Sequence, residues 1–544
     1  MMTEKSQSVQ AYILQAQVDN LSAVYRFRGA HGNVAWPRGN GAGLGVAGAW
    51  NFLLRLGVCA KIVASPEMVA DYGKCIFFVS LDGGEDEALL DSLRKLIQAG
   101  GRVIGSGALK AWSQILPEVF KGGMERCCEN PYAALAYSFS GADRPILLAP
   151  PRWTFVCLGE GNIDSGRTVG TMLAVQGERQ TPARALTISQ PGAPGLIHWR
   201  NLLYLNGSPF HALQAWLQGQ EDLSPWLNWR HRLFWLDEWV ADMRRIIEQE
   251  NFLFPKFTEP PIAELGETCV VLRHDLDYSQ DTAYLEAEEK NGMAGVHAIL
   301  RDSNASFWVN FLAKFPAHEV AFHYNTGHYS RLLNWLRKKM DISPTAYLPA
   351  RSDVCGQGLW RQIRWAKAQQ IGIATLHRHL GFLFYPEWVD ALDHVFEREP
   401  EVLGGSSLFR GQVLRWGIDR VDGVRGTLGE FPDAQFPFWF PFKLAHAGDG
   451  GRLLRGWESA SLMEIEPEVL EQLLDYRISG IPQRVLTLNY HPAHTQSLTF
   501  FREGSLFGFR GVLNVLRERE VKVLPLAEVC RAVSRFVAEE SREI

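Results

Sequence analysis

The chain of 544 residues lacks long hydrophobic runs and any segment typical of exported proteins. A membrane-spanning helix needs about 18 or more consecutive apolar residues, and no such stretch occurs. The first twenty residues have no charged region followed by an apolar one, so no secretory signal peptide is predicted. We therefore expect a cytoplasmic protein with no integral membrane segment.

Cysteine pairs with the Cys-x-x-Cys spacing and clusters of basic residues are also missing. None of the eight cysteines has a partner at Cys-x-x-Cys spacing, which favours reduced core thiols over a disulfide or zinc framework. The 55 Lys and Arg residues against 60 Asp and Glu give a net charge of -5. Because no basic cluster stands out, a nucleic-acid-binding surface is not expected.

The hydrophobic content of 46% is sufficient for well-packed cores, and the length exceeds that of one ordinary domain. Over 1–230, strand-like and helix-like segments alternate. This pattern predicts an α/β domain with a doubly wound parallel sheet of the flavodoxin-like or amidotransferase-like kind, with an antiparallel extension. The expected elements are helices at 49–56 and 86–99, strands at 61–64, 75–80 and 102–104, and short additional strands at 144–148, 154–158 and 185–189.

A glycine-rich segment at 43–48 reads Gly-Leu-Gly-Val-Ala-Gly and matches the pattern of dinucleotide-binding turns. No convincing strand precedes it, so a turn packed against the sheet is favoured over dinucleotide binding. No cysteine lies in a Gly-flanked elbow with a His-Glu partner, so glutaminase chemistry is not expected either. The interpretation is a non-catalytic accessory or binding domain.

A helical, proline-containing linker is predicted at 231–264, and a second α/β domain at 265–535 in which the alternation predicts a β/α barrel. The glycine- and aromatic-rich stretch 400–455 is interpreted as a large loop insertion, either covering an active site or forming a dimer contact. Strands are expected at 268–273, 295–300, 319–323, 345–348, 371–375 and 485–490, with helices at 281–291, 329–340 and 358–370.

Two carboxylates follow the first of these strands. Asp275 and Asp277 come directly after an apolar run, and burying carboxylates is costly unless a cation or a proton-transfer role compensates. A solvated loop or a helix cap is the simpler alternative. In a β/α fold, however, catalytic groups gather at this end of the strands, so the pair indicates a candidate hydrolase site.

Histidines follow two later strands. His323 ends the strand predicted at 319–323, and His328 comes five residues later. Imidazoles combined with a carboxylate are typical of hydrolytic metal sites. His491 directly follows the strand at 485–490 and precedes a proline, so it is either part of a structural turn or a general acid at the mouth of the barrel.

In their order along the chain, these motifs resemble the polysaccharide deacetylases of the NodB-homology type (carbohydrate esterase family 4). The resemblance covers about 265–535 and is strongest to the branch with Arg-His-Asp-x-Asp at the first motif. It continues with His-Glu-Val-Ala-Phe-His and a late strand closing on Leu-x-x-His-Pro. It implies a distorted β/α barrel with one divalent metal ion, zinc being favoured and cobalt, nickel, manganese or iron the alternatives.

The resemblance also implies the metal ligands. Asp277 and His323 match two of them. The second histidine of the family comes four residues after the first, where this chain has Gly327. His328 is therefore taken as the third ligand, with the polar side chains at 325–326 as weaker substitutes.

The catalytic roles follow from the same resemblance. Asp275 would be the general base, and His491 the general acid. Arg351 lies near the third motif of the family, whose arginine orients the catalytic carboxylate, and Arg273 competes with it for this role.

The function implied is hydrolysis of an N-acetyl or related acyl group on an amino-sugar-containing substrate, within surface polysaccharide biosynthesis. The displaced His328 supports an alternative, a catalytically decayed barrel that binds glycans or serves as a scaffold. The expected partner is an amino-sugar or glycan intermediate, and self-association as a homo-oligomer is a further expectation.

Overall fold

The computed structural model describes the chain in segments, and these belong to two compact units. Described residues up to 252 belong to the first unit and those from 262 onward to the second. The described segments are 10–14, 60–63, 65–69, 75–81, 86–120, 124–127, 133–138, 146–147, 155–158, 167–176, 194–206, 235–252, 262–277, 279–301, 304–324, 352–382, 387–408, 454–463, 465–476, 483–492 and 506–543, together with isolated positions between them.

The first unit is built on a nine-stranded mixed sheet in the order β2-β1-β3-β4-β11-β10-β9-β6-β7. The strands from β2 to β11 in this order are mutually parallel, and the others are antiparallel to their neighbours. The strands β5 and β8 pair separately. The bounds are β1 Gln10–Leu14, β2 Lys61–Val63, β3 Cys75–Leu81, β4 Arg102–Gly107, β5 Met124–Cys127, β6 Ala133–Ser138, β7 Ile146–Leu147, β8 Phe155–Leu158, β9 Arg167–Gln176, β10 Pro194–Trp199 and β11 Leu202–Leu205, with helices α1 Glu87–Gln98, α2 Leu109–Ile115 and α3 Trp235–Gln249.

The sequence predicted the parallel part of this sheet better than the rest. The strands expected at 61–64, 75–80 and 102–104 are confirmed, as is the helix at 86–99, which begins where the Asp86 carboxylate accepts the Leu89 N–H at 2.8 Å. The sheet is not wholly parallel, because only two residues join β10 to β11 and so short a connection permits only an antiparallel hairpin. The strand predicted at 185–189 lies outside the described residues.

The glycine-rich segment packs closely against this sheet. A Cβ atom on Gly45 would lie 1.9 Å from the Ser80 hydroxyl oxygen on β3, so only glycine permits this approach. This supports close packing of the segment against the sheet, although Gly45 and Gly48 are helical rather than part of a turn.

The second unit is a barrel of parallel strands. Strands β12 to β18 close into a ring, because β12 pairs with β18 on one side and with β13 on the other. The short β19 pairs with the beginning of β12, at Cys269 and Val270, whereas β13 pairs with its end. The closure at β12 is therefore uneven, as in a distorted β/α barrel. The bounds are β12 Thr268–Asp275, β13 Val296–Leu300, β14 Glu319–Tyr324, β15 Thr375–Phe382, β16 Gly404–Leu408, β17 Trp457–Met463, β18 Arg484–Tyr490 and β19 Lys522–Val523.

Helices surround this ring and one of them covers its amino-terminal end. The last helix packs on Cys269, Val271 and Val485 near the beginnings of their strands, so the carboxyl ends of the strands are left for a site. In the described residues, no helix is long and apolar enough to cross a membrane. The helices are α4 Ala283–Lys290, α5 Ala305–Leu312, α6 Ser352–Ala368, α7 Glu387–Arg398, α8 Pro467–Asp475, α9 Leu506–Glu518 and α10 Leu526–Glu543.

Two expectations for the barrel need correction. The range 400–455, predicted as a loop insertion, contains the barrel strand β16, and β17 begins just after it. The Gly-Gly-Ser-Ser sequence of β16 is not typical of a strand. The strand nevertheless needs small residues, because a Cβ atom on Gly405 would lie 2.2 Å from the Leu376 carbonyl oxygen. The strand predicted at 371–375 begins only at Thr375, because α6 closes with Gln370 at a positive φ of 61° and the chain must first leave the helix. The elements expected at 329–340 and 345–348 lie outside the described residues.

Candidate active site

Arg273 and Asp275 form a buried ion pair at the carboxyl end of β12. Alternate residues of a strand share one face, and here that face is the interior of the barrel. Arg273 donates from Nε and Nη2 to the two Asp275 oxygens, at 2.8 Å each. It also donates from Nη1 across the barrel to Ser406 Oγ on β16, at 2.9 Å, and to Ser461 Oγ on β17, at 3.0 Å. The bidentate pair therefore has a fixed orientation.

The surroundings of Asp275 keep it ionised. Burial alone raises the pKa of this carboxyl group, but the Arg273 guanidinium, followed by His323 and His491, outweighs burial and holds the pKa well below its usual value. Asn489 on β18 adds a donor, with Nδ2 at 2.9 Å from Asp275 Oδ2. The result is a carboxylate that is charged at neutral pH although its side chain is only 5% exposed.

Two histidines and a second carboxylate surround Asp275. Nδ1 of His323 on β14 lies 3.6 Å from Asp275 Oδ1 and 3.2 Å from Asp277 Oδ1. Nε2 of His491, directly after β18, lies 3.5 Å from Asp275 Oδ2. His323 is buried, whereas Asp277 and His491 are partly exposed. The structure thus brings together Asp275, Asp277, His323 and His491, which together span more than 200 residues of the sequence.

His328, its substitutes at 325–326 and Arg351 are outside the described residues. Arg273, which competed with Arg351 for the orienting role, contacts Asp275 with two hydrogen bonds.

Sequence reasoning did not find the other side chains that hydrogen-bond to the Arg273–Asp275 pair, which are Asn489, Ser406 and Ser461. Asn489 had a usable signal, since it lies two residues before His491 at the end of the same strand. The two serines had none, because Ser406 lies in the strand that was predicted as a loop and Ser461 in an unassigned stretch.

A chain of buried polar groups continues from Ser406 into the barrel. His377 on β15 lies with Nδ1 at 2.7 Å from Ser406 Oγ and with Nε2 at 2.9 Å from Thr375 Oγ1. Thr375 in turn donates a hydrogen bond to Glu319. Burial and then the nearby Arg273 lower the pKa of His377 well below its usual value. His377 is therefore neutral, and it orients Ser406 without adding charge near Asp275.

Two of the clustered residues have the chemistry of metal ligands. Asp277 Oδ1 and His323 Nδ1 lie 3.2 Å apart, close to the separation of about 3.3 Å between two ligands on a tetrahedral zinc ion with bonds of about 2.0 Å. A carboxylate and an imidazole at this spacing fit two ligands of one divalent ion.

A second group of potential ligands lies on the outer face of the barrel wall. Ligand atoms of Glu288, His297 and His318 all lie within 4.8 Å of one another, and all three residues are buried. These residues could hold a metal ion. Sequence reasoning missed them, because they stand on a helix, on a strand and in the connection before β14, without a recognisable spacing.

Comparison with known proteins gives structural similarity only. No protein-family model matches this chain, and no curated protein matches it in sequence. A candidate polysaccharide deacetylase of O-antigen biosynthesis from Bordetella bronchiseptica is similar over 48% of this chain and 96% of its own, with 14% identity and a TM-score of 0.26. The carbohydrate deacetylase Agd3 is similar over 98% of this chain and 88% of its own, with 7% identity and a TM-score of 0.28. A β-galactosidase from Rahnella is similar over 38% of this chain and 30% of its own, with 13% identity and a TM-score of 0.24.

Proposed function

We propose that the second unit is a metal-dependent hydrolase that removes an N-acetyl or related acyl group from an amino-sugar-containing substrate. The observation that carries this proposal is the buried Asp275 carboxylate, which Arg273 keeps ionised between the imidazoles of His323 and His491. The amino sugar as the substrate class rests on the resemblance of the ordered motifs to the deacetylases.

In this proposal Asp277 and His323 hold a divalent ion, with His328 as the predicted third ligand. Such an ion, when bound, acidifies a water molecule and polarises the acyl carbonyl. The roles of the protein groups follow from their positions around Asp275.

Asp275 is the proposed general base. Its ionised state at neutral pH leaves it able to accept a proton from the attacking water. Arg273 is a positioning residue, since its two hydrogen bonds fix the plane of the carboxylate. A free carboxylate would rotate, and losing this orientation would reduce the fraction of productive geometries.

His491 is the proposed general acid. It lies on the opposite carboxylate oxygen from His323, so the proposed acid and the proposed metal ligand flank the base on different sides. An amide is cleaved efficiently only if its nitrogen is protonated as it leaves. The two imidazoles therefore have different tasks although both face Asp275.

The test is acetate release by purified, tag-free protein. The substrates are N-acetylglucosamine oligomers and nucleotide-linked N-acetylated sugars, supplied with zinc, cobalt or nickel. We expect acetate release that a chelator abolishes, and a loss of about 10²-fold or more in Asp275→Asn and His323→Gln. Asp475→Asn, an exposed carboxylate in the same unit, is the control and should retain full activity.

The proposal fails if Asp275→Asn releases acetate as fast as the unchanged protein. The scaffold alternative gains support if the protein binds the same glycans, releases no acetate, and keeps its glycan affinity when Asp277 or His323 is replaced.

A further inference from the structure

The buried group on the outer face of the barrel wall is separate from the candidate active site. His274 lies between Arg273 and Asp275 in β12, and its side chain points to the opposite face of the strand. There its Nε2 lies 2.7 Å from Glu288 Oε1 on α4. His297, its neighbour in β13, and His318 complete the group.

The three potential ligand atoms form a triangle of the right size for a metal ion. Glu288 Oε2 lies 3.9 Å from His297 Nε2 and 3.7 Å from His318 Nδ1, and these two nitrogens lie 2.8 Å apart. A point equidistant from the three atoms lies about 2.0 Å from each, within the range of zinc–nitrogen and zinc–oxygen bonds. An ion therefore fits between them without a large displacement of any side chain.

The other polar atoms of these side chains have the partners that metal ligands usually have. His318 Nε2 lies 2.8 Å from the Glu289 carboxylate, and His297 Nδ1 lies 2.8 Å from the Tyr284 hydroxyl. A ligating histidine generally gives its second N–H to such a carboxylate or oxygen acceptor, which fixes the ring.

Glu288 supplies an independent indication. Its side chain is 0% exposed, and its Oε2 accepts no hydrogen bond within the described part of the chain. A buried carboxylate is costly unless a cation or donors compensate. This uncompensated oxygen is the one that points to the two histidine nitrogens.

The same atoms also allow an arrangement without metal. His297 Nε2 and His318 Nδ1 are within hydrogen-bonding distance of each other, and the Gly295 N–H donates to His318 Nδ1 at 3.1 Å. In that arrangement Glu288 Oε2 stays without a hydrogen bond, whereas a metal ion satisfies it.

We propose that Glu288, His297 and His318 bind a divalent transition-metal ion, of the zinc class, in a structural role. The three protein ligands leave one position for a water molecule, and their complete burial separates this ion from substrate. The ion would link α4, β13 and the connection before β14 directly behind the strand end that carries Asp275.

The first measurement is the metal content of tag-free protein carrying Asp277→Asn and His323→Gln together. These substitutions remove the ligands of the candidate active site, so the result does not depend on the proposed function. We expect one equivalent of metal to remain, and X-ray absorption to show two imidazoles and one carboxylate at about 2.0 Å. Adding Glu288→Gln should remove this equivalent.

A milder variant provides the test if the Glu288→Gln protein does not fold. Glu289→Gln removes only the partly exposed carboxylate beside His318, and should weaken metal binding by about 10- to 100-fold in competition with a chelator. Glu286→Gln, on the same helix but exposed, should leave the affinity unchanged.

A folded Asp277→Asn, His323→Gln protein that holds no metal after dialysis against zinc would overturn the proposal. Equal metal affinity in the Glu289→Gln and Glu286→Gln proteins would count against it as well. The metal-free hydrogen-bonded arrangement would then describe this cluster.

Discussion

The Asp275→Asn substitution tests how much the buried Arg273–Asp275 ion pair contributes to the stability of the fold. The carboxylate oxygens accept three strong hydrogen bonds, two from Arg273 and one from Asn489. The amide that replaces this carboxylate keeps a single oxygen. That oxygen fits best at the Oδ2 position, where two donors converge, and the amide then faces Arg273 Nε with an N–H group.

The magnitude follows from these contacts. Removing one partner of a buried ion pair costs about 3–5 kcal/mol, because a charge is left uncompensated. The remaining amide oxygen still accepts from Asn489 and from one Arg273 nitrogen. We therefore expect Asp275→Asn to lower the free energy of unfolding by about 3 kcal/mol, near the lower end of that range.

The pH dependence gives a second check on the same substitution. The pKa of Asp275 is depressed in the folded state, so its stabilisation is fully present above its unfolded pKa, about 3.9, and is lost as the pH falls through the lower folded value. The difference in unfolding free energy between the two proteins should not shrink from about pH 8 to pH 5, and should shrink only below about pH 4.

Urea unfolding followed by circular dichroism and fluorescence measures both quantities. Asp475→Asn is the control, since its pair with Arg519 is exposed and should change stability by less than about 1 kcal/mol. A loss below about 1 kcal/mol in Asp275→Asn, or a difference that shrinks between pH 7 and pH 5, would refute the assignment of a buried, ionised pair.

Three further predictions concern other parts of the second unit. His491→Asn should slow acetate release from an amide by about 10²-fold or more but affect an activated ester much less, because a good leaving group needs no proton; equal losses on both would remove His491 as the acid. Gly405→Ala should destabilise the folded protein by about 2 kcal/mol, because the added Cβ would press on the Leu376 carbonyl oxygen. Gly358→Ala on α6, where an added Cβ meets nothing within 4 Å, should instead stabilise it by about 0.5–1 kcal/mol. Thermal unfolding compares the two variants, and equal effects would contradict the close approach at β16. Burial raises the pKa of Cys269 to about 12 and that of Cys530 as well, so a thiol reagent should label both only after unfolding; mass spectrometry of native protein showing rapid labelling would disprove their burial.

Local patterns in the sequence were sufficient for four of the seven strands of the ring, β12, β13, β14 and β18. The apolar run before Arg273 could only be a buried strand, and the polar residues after it had to lie at the strand end. The same reasoning placed His323 and His491 at the ends of their own strands. Because the carboxyl ends of parallel strands meet at one edge, the three positions were expected to converge, and the structure brings both histidines within 3.6 Å of Asp275.

Local patterns failed where packing overrides propensity. Gly404 and Gly405 weaken a strand on any propensity scale, yet β16 needs them because neighbouring backbone atoms approach too closely for a side chain. The strand was therefore hidden in a stretch that was predicted as a loop. The glycines are required by contacts with strands far away in the sequence, β15 and β17, and no local window contains those contacts.

By itself the sequence determined that this chain has two α/β units, that a row of carboxylates and histidines follows the strands of the second, and in which order they come. These properties depend on periodicity and on the ends of elements, which neighbouring residues specify. Only the tertiary structure decided that Arg273 holds Asp275, and that His274 and His297 face outward to Glu288 while His323 faces inward. Which face a residue presents depends on strand register and on how the ring closes at β12, and both are set by contacts between distant parts of the chain.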